Sequence, residues 1–320
     1  MIDPYIARLI EVARAYYLEN QTQADIARSL GISRSQVSRY LTTARELGIV
    51  EIRIVAPEES SNTLGQLLKQ RYPHLKEVIV APSFSDDPDA IRTMIGRTAA
   101  NYLMEILMPG QILALGCGRT LREMVSALQK RNLPNLVVAQ AMGNIGHEAH
   151  KIDYNEIARQ AAEVLSGKVC YVSAPAILGR GSGKDFVQAN PTLEYSLSQA
   201  KQANIYVVGV GSLESDMLYA RVGLIQTQEL EALKGKAVGD ICGRFFDLDG
   251  QVQPTAFDTR IVGIQLDDLK RAQYAIGVAG GEDKAAPLLG AMRGKWINVL
   301  ISDERTMNLI LELDEKEDIP

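Results

Sequence analysis

Apolar positions near the start of the chain recur every three or four residues: Ile6, Leu9, Ile10, Ala13 and Tyr17 fall on one face of a helix over residues 4–19. Thr22 then stands three residues before Asp25, a pair able to satisfy free amides at a helix start, and the helix it opens runs to Leu30. Gly31 breaks that helix and accepts the turn. Ser33 caps a third helix, in which Val37, Leu41 and Ala44 share one face while Arg34, Ser35, Gln36, Ser38 and Arg39 point elsewhere. Two helices joined by a three-residue turn with glycine predict a helix-turn-helix, with the small Ala27 permitting a close crossing and Val37 plugging the space between the helices. Beyond Gly48, the alternation over residues 49–54 predicts a strand, a wing beside the helices.

Residues 57–62 are polar and turn-rich, which divides the chain into a domain over 1–56 and a second over 57–320 that opens with a helix at about 63–72. Apolar runs at 77–80, 112–115, 136–140, 169–172, 205–210, 275–278 and 297–301 then alternate with helical patterns such as 91–107, 121–129, 156–165 and 284–292. The predicted class is α/β: a small winged helix-turn-helix domain followed by a large Rossmann-like domain with a mainly parallel sheet. Such sheets bind ligands at the carboxyl ends of their strands. Three strand ends lead into glycine-rich loops: Gly116-Cys117-Gly118-Arg119-Thr120, Gly209-Val210-Gly211-Ser212 and Gly280-Gly281-Glu282-Asp283-Lys284. In the first, small residues, free amides, a hydroxyl and a helix start converge, which favours an anion such as phosphate. The third ends in a lysine able to neutralise one. Each loop taken singly also fits mere chain reversal.

Composition narrows the class. With 46% hydrophobic and 23% charged residues, the 320-residue chain reads as a globular protein of two domains. No basic stretch followed by an apolar one opens it, and no apolar run approaches the roughly 20 residues of a membrane span, so a cytoplasmic location without membrane contact is expected. Cys117, Cys170 and Cys242, far apart and odd in number, suit neither a disulfide framework nor a four-ligand zinc site, and are expected to be reduced. The net charge of −5 argues against nucleic acid until it is divided: residues 1–56 carry +1 and the remainder −6, and residues 26–45 hold four arginines and no acid. Arg34, Gln36 and Arg39 are therefore the predicted base or phosphate readers, supported by Ser35 and Ser38. Nucleotide cofactors are not expected, since Gly183-Lys184 lacks the rest of a P-loop and no loop completes G-x-G-x-x-G. No metal is expected either: His147-Glu148-Ala149-His150 is one residue short of the zinc-protease spacing.

At residues 22–51, at 116–120, at Val238-Gly239-Asp240-Ile241-Cys242-Gly243-Arg244-Phe245-Phe246-Asp247 and at 278–284, the chain resembles the SorC family of sugar-responsive transcription regulators, in one order over nearly the full length. The resemblance implies an effector domain similar to sugar-phosphate isomerases and glucosamine-phosphate deaminases, homodimers or homotetramers formed through it, and a sugar phosphate or related polyol that alters operator affinity. It makes Gly116, Cys117, Gly118, Arg119 and Thr120 the phosphate loop, Lys284 a second contact, and Asp247 the acceptor of sugar hydroxyls, with Gln140, Gly143 and Asn144 bordering the cleft. Met142 offers no amine for a covalent bond to a carbonyl effector.

The expectation is a DNA-binding regulator, in its specific form a repressor of a carbohydrate-utilisation operon, with no catalytic residues. The alternative is a sugar-phosphate isomerase or deaminase with a DNA-binding appendage. It lacks an evident acid/base constellation.

Overall fold

The computed structural model describes residues 3–50, 58–82, 85–145, 153–179, 181–213, 219 and 223–317. The chain divides into two compact units, Met1–Ala56 and Pro57–Pro320.

The first unit is built from α1 (Pro4–Tyr17), α2 (Gln23–Leu30) and α3 (Arg34–Glu46), each begun by a side-chain cap: Asp3, Thr22 and Ser33 accept from the amides of Tyr5, Asp25 and Gln36. Gly31 closes α2 at φ +64°, a left-handed conformation that a β-carbon would strain. Val12, Ile26, Ala27, Val37 and Leu41 form the shared core. A fully buried Val or Ile here is worth roughly 1.5–3 kcal/mol. The first helix ends at Tyr17, two residues before the expected end, and Val12 joins Leu9 and Ala13 on its buried face. Ile49 and Val50 fold back onto α3, both amides donating to the Ala44 carbonyl; the rest of the expected wing, 51–54, lies outside the described residues.

The second unit runs α4 (Glu58–Arg71), β1 (Glu77–Ala81), α5 (Pro88–Ile106), β2 (Ile112–Leu115), α6 (Arg119–Ser126), β3 (Val137–Gln140), α7 (Tyr154–Val164), β4 (Lys168–Cys170), α8 (Gly183–Gln188), α9 (Pro191–Lys201), β5 (Ile205–Gly209) and β6 (Gly211–Ser212). It continues with α10 (Thr227–Glu231), β7 (Gly239–Ile241), β8 (Arg244–Phe246), α11 (Leu266–Lys270), β9 (Tyr274–Val278), α12 (Ala285–Arg293), β10 (Val299–Asp303) and α13 (Glu304–Glu317). Seven strands make one all-parallel sheet in the order β1-β10-β9-β5-β2-β3-β4, and β6-β7-β8 make a small antiparallel one. The apolar runs are continuous because both faces of the large sheet are covered. Ile205 and Val207 of β5 point into one core with Leu113, Leu115 and Ile276; Tyr206 and Val208 point into the other with Ala114, Ala275 and Leu300.

From the β2–β5 pair chain order runs outward through β3 and β4 on one side and through β9 and β10 on the other, with β1 added at the far edge, so the sheet switches direction there. A crevice opens at the carboxyl ends of strands at such a point. Beneath it, the buried Tyr154 hydroxyl donates to the Leu115 carbonyl and accepts from the Ala141 amide at 2.9 Å, tying the ends of β2 and β3 together. Elsewhere in this unit the buried Asp314 of α13 accepts from Tyr72 Oη and Arg293 Nη2, both at 2.7 Å, and pairs with Arg71. Burial and the Asp314 hydrogen bond push the Tyr72 phenol up to about 12.

Candidate effector cavity and nucleic-acid interface

The loops after β2, β5, β9 and β10 meet in a cavity of about 790 Å³. Gly116 cannot carry a side chain without crowding Val208, so the turn from β2 into α6 lies tight against β5. Gly118 precedes α6 in an extended conformation with no side-chain cap, and the first turn of α6, Arg119 to Leu121, lines the cavity. The partial positive charge of a helix start is thereby turned toward whatever enters.

The loop after β9 supplies a second polar group. Lys284 Nζ donates to Asp283 Oδ2 at 2.5 Å and to Ser212 Oγ at 2.6 Å, and Ser212 Oγ donates to Asp283 Oδ2 at 2.7 Å. Burial acts to raise the Asp283 carboxyl, but the hydrogen bond and charge of Lys284, with Ser212, outweigh it and hold it below the ordinary value. Asp303 at the end of β10 anchors this loop, accepting from the Gly281 amide at 3.1 Å, the Thr306 amide at 2.9 Å and Thr306 Oγ1 at 2.6 Å.

Asp303, and Asp240 on β7, are both buried carboxylates in the cavity lining. Antiparallel pairing sets Asp240 opposite Gly211 of β6, where a β-carbon would collide with its Oδ1. Its Oδ2 accepts from the Gly243 amide at 2.9 Å. Burial lifts this carboxyl to about 6, against the smaller opposing effects of the Gly243 amide, the Lys284 charge and a Tyr219 hydrogen bond.

Of the residues expected at the effector site, Gly116, Cys117, Gly118, Arg119, Thr120 and Lys284 all line this one cavity. Four do not line it, and their contacts explain why. Gln140 is fully buried, with Nε2 donating to Asn155 and Oε1 accepting from the Val172 amide, so its side chain braces β3 against its neighbours. Gly143 packs on the Ala174 and Pro175 carbonyls and donates to Val262, and Asn144 exchanges backbone hydrogen bonds with Ala174 and Ala176. Asp247 organises the turn after β8: Oδ1 accepts from the Asp249 and Gln251 amides and Oδ2 from Gln253 Nε2. Of the two carboxylates Asp240 and Asp247, the one that lines the cavity is Asp240, seven residues earlier in the chain. Also absent from the sequence reading were Tyr219 and Asp303. His147, Glu148 and His150 lie outside the described residues, and among those described no cluster of three or more His, Cys, Asp or Glu could hold a metal.

In the first unit, Arg34, Ser35, Ser38 and Arg39 are exposed on α3. Gln36 is half-buried, its Nε2 donating to Tyr40 Oη at 3.0 Å, and Ser35 Oγ lies 2.9 Å from Ser33 Oγ. Tyr40 in turn meets Tyr5 edge to face. The helix thus presents two guanidinium groups and an amide held from behind, side chains suited to base edges and phosphates in a major groove.

Comparison with known proteins agrees with both units. Residues 56–312 match the Sugar-bind family of sugar-binding domains, and residues 18–52 match the IclR helix-turn-helix domain. The chain belongs to the SorC family of sugar-binding transcription regulators. It is 34% identical over 304 residues to the deoxyribonucleoside regulator of Bacillus subtilis, covering 94% of this chain and 96% of that one. To the sorbitol operon regulator of Klebsiella pneumoniae it is 30% identical over 312 residues, covering 96% and 98%. The crystal structure of that full-length regulator, SorC, superposes with a TM-score of 0.78 over 97% of this chain and 100% of that one. As a SorC-family member the chain is a DNA-binding regulator with a sugar-binding domain. No helix among the described residues is long and apolar enough to cross a membrane.

Proposed function

We propose that this regulator binds a phosphorylated sugar or polyol in the cavity at the β2–β5 switch, and that occupancy alters its affinity for operator DNA. The observation that carries the reading is the composition of one cavity: an uncapped helix start at Gly118–Thr120 together with the Ser212–Asp283–Lys284 cluster and the Asp240 carboxylate. The first suits a phosphate; a carboxylate accepts from neighbouring hydroxyls. Arg34, Gln36 and Arg39, with Ser35 and Ser38, read the operator. The protein acts in the cytoplasm as a homodimer or homotetramer, as a repressor of a carbohydrate-utilisation operon and without catalysis. The names of the sorbitol and deoxyribonucleoside regulators support a carbohydrate effector. Ligand acts by differential affinity for two arrangements of the protein.

The deciding experiment is fluorescence anisotropy on labelled DNA from upstream of the protein's own gene, titrated at fixed salt with paired phosphorylated and unphosphorylated sugars. One phosphorylated compound should shift specific binding. Thr120→Val and Lys284→Met should abolish the shift and leave operator binding within about twofold; loss of operator binding in folded, effector-free variants would overturn the assignment. Asp240, with a carboxyl raised toward neutrality, is also what an isomerase would require. Turnover of the same sugar phosphates by the purified protein would favour that reading.

A further inference from the structure

Two helices leave the cavity and end on the same buried carboxylate. α12 begins at Ala285, directly after the Glu282–Lys284 turn that lines the cavity. α13 begins after Asp303, and its first turn holds the same loop: Thr306 Oγ1 accepts from the Gly281 amide at 2.9 Å, and Arg305 pairs with Glu282. Whatever displaces the Lys284 loop therefore displaces the start of both helices.

Asp314 lies along α13, roughly 15 Å from its start at 1.5 Å per residue, and its side chain is 4% exposed. It accepts from Nη2 of Arg293, the last residue of α12, and from Tyr72 Oη, and it pairs with Arg71, the last residue of α4. Arg71 Nη2 also donates to the Asp314 carbonyl at 3.4 Å. Behind these polar groups, Leu68 of α4 shares a core with Leu289 of α12 and with Met307 and Ile310 of α13. A buried ion pair adds little stability over an apolar contact of the same shape; what it adds is a fixed register. Here one carboxylate fixes the register of three helices. α4 opens the second unit, so from its other end the chain passes directly to Met1–Ala56.

We propose that the Asp314 cluster is the transmission point of the regulator: α12 and α13 carry a shift of the Lys284 loop to Asp314, and Arg71 and Tyr72 pass it to α4 and the chain entering the DNA-binding unit. Closely packed helices shift as rigid bodies and do not deform to absorb such a motion. The inference rests on the reading of the cavity as the effector site and adds the route by which its occupancy is reported.

The test is hydrogen exchange of the full-length protein with and without saturating DNA from upstream of its own gene. Coupling is reciprocal, so operator alone must reach the cavity loop by the same route. In the parent, operator should change exchange in α4 and, by at least about fivefold, at residues 280–284. In Arg71→Met with Tyr72→Phe, which leaves the Asp314–Arg293 pair in place, the change should persist in α4 and vanish at 280–284. Operator affinity should stay within about twofold, since neither residue is near the reading helix in the chain. Asp249→Asn, which alters only the exposed ion pair with Arg293, should behave as the parent. If the double variant does not fold, Tyr72→Phe alone must diminish the change at 280–284. A change there that the folded variants transmit in full overturns the route and leaves the proposed function standing. No change at 280–284 in the operator-bound parent overturns this inference together with the proposed coupling of the cavity to DNA.

Discussion

Asp240 carries the clearest physical signature of any single residue in the cavity. Burial raises its carboxyl from the ordinary 3.8 to about 6, so between those values the folded chain holds a proton that the unfolded chain releases. Its contribution to stability is therefore full below about pH 4 and is lost as pH rises through 6, a change of roughly 3 kcal/mol for a shift of that size. Asp240→Asn removes the buried charge and keeps an oxygen for the Gly243 amide. Urea unfolding should find the variant more stable than the parent at pH 7.5 by a margin that shrinks at pH 5, and the variant should bind effector more weakly. A margin independent of pH would mean that Asp240 does not titrate in this range. The same residue shows where sequence reading stops. Asp240 and Asp247 lie on one hairpin, and either carboxylate could face a sugar. Only the pairing of β7 with β6 directs Asp240 toward the loop after β5, while three donors claim Asp247 for a turn. Pairing between segments nearly thirty residues apart leaves no local trace in the chain.

Elements with strong local signals were legible; those made by long-range pairing were not. α1, α2 and α3 carry their caps in the sequence, and the spacing that predicted a helix-turn-helix is the spacing that buries Val37 and Leu41. The parallel strands were visible as apolar runs because two covering layers demand apolar side chains on both faces. Strands of two or three residues, such as β6, β7 and β8, are too short for any period to show, and β10 extends to Asp303, past its apolar run, because the carboxylate there is satisfied by Thr306 and Gly281. At this scale the prediction concerns α3. Arg34→Ala and Gln36→Ala should each weaken specific operator binding by roughly 1–3 kcal/mol if they contact bases, with effector affinity unchanged within error by calorimetry. Gln36→Ala also frees Tyr40 from its hydrogen bond, so a melting curve must accompany it. Equal loss on specific and unrelated DNA would reassign either residue to phosphate contact.

At the scale of the whole molecule, two compact units have different charge and different tasks, the first net +1 and the second net −6. An acidic second unit opposes non-specific attraction to DNA, so the cationic side chains for the proposed operator contacts are those of the first unit, four of whose arginines cluster within residues 26–45. The coupling between units is a free energy, and it is reciprocal: if effector changes operator affinity by some factor, operator must change effector affinity by the same factor. Residues 57–320 hold every lining residue of the cavity and both cores that support it. Expressed alone, that segment should bind the effector that acts on the full chain, and specific DNA should leave its affinity unchanged. The full-length protein titrated with effector in the presence and absence of saturating operator should show an affinity ratio equal to the one measured in the converse experiment. A DNA effect on the isolated segment would place operator contacts in the second unit. A full-length ratio of one, alongside effector-dependent DNA binding, would mean that the binding event titrated is not the one coupled to operator, because reciprocity holds for whichever site carries the coupling.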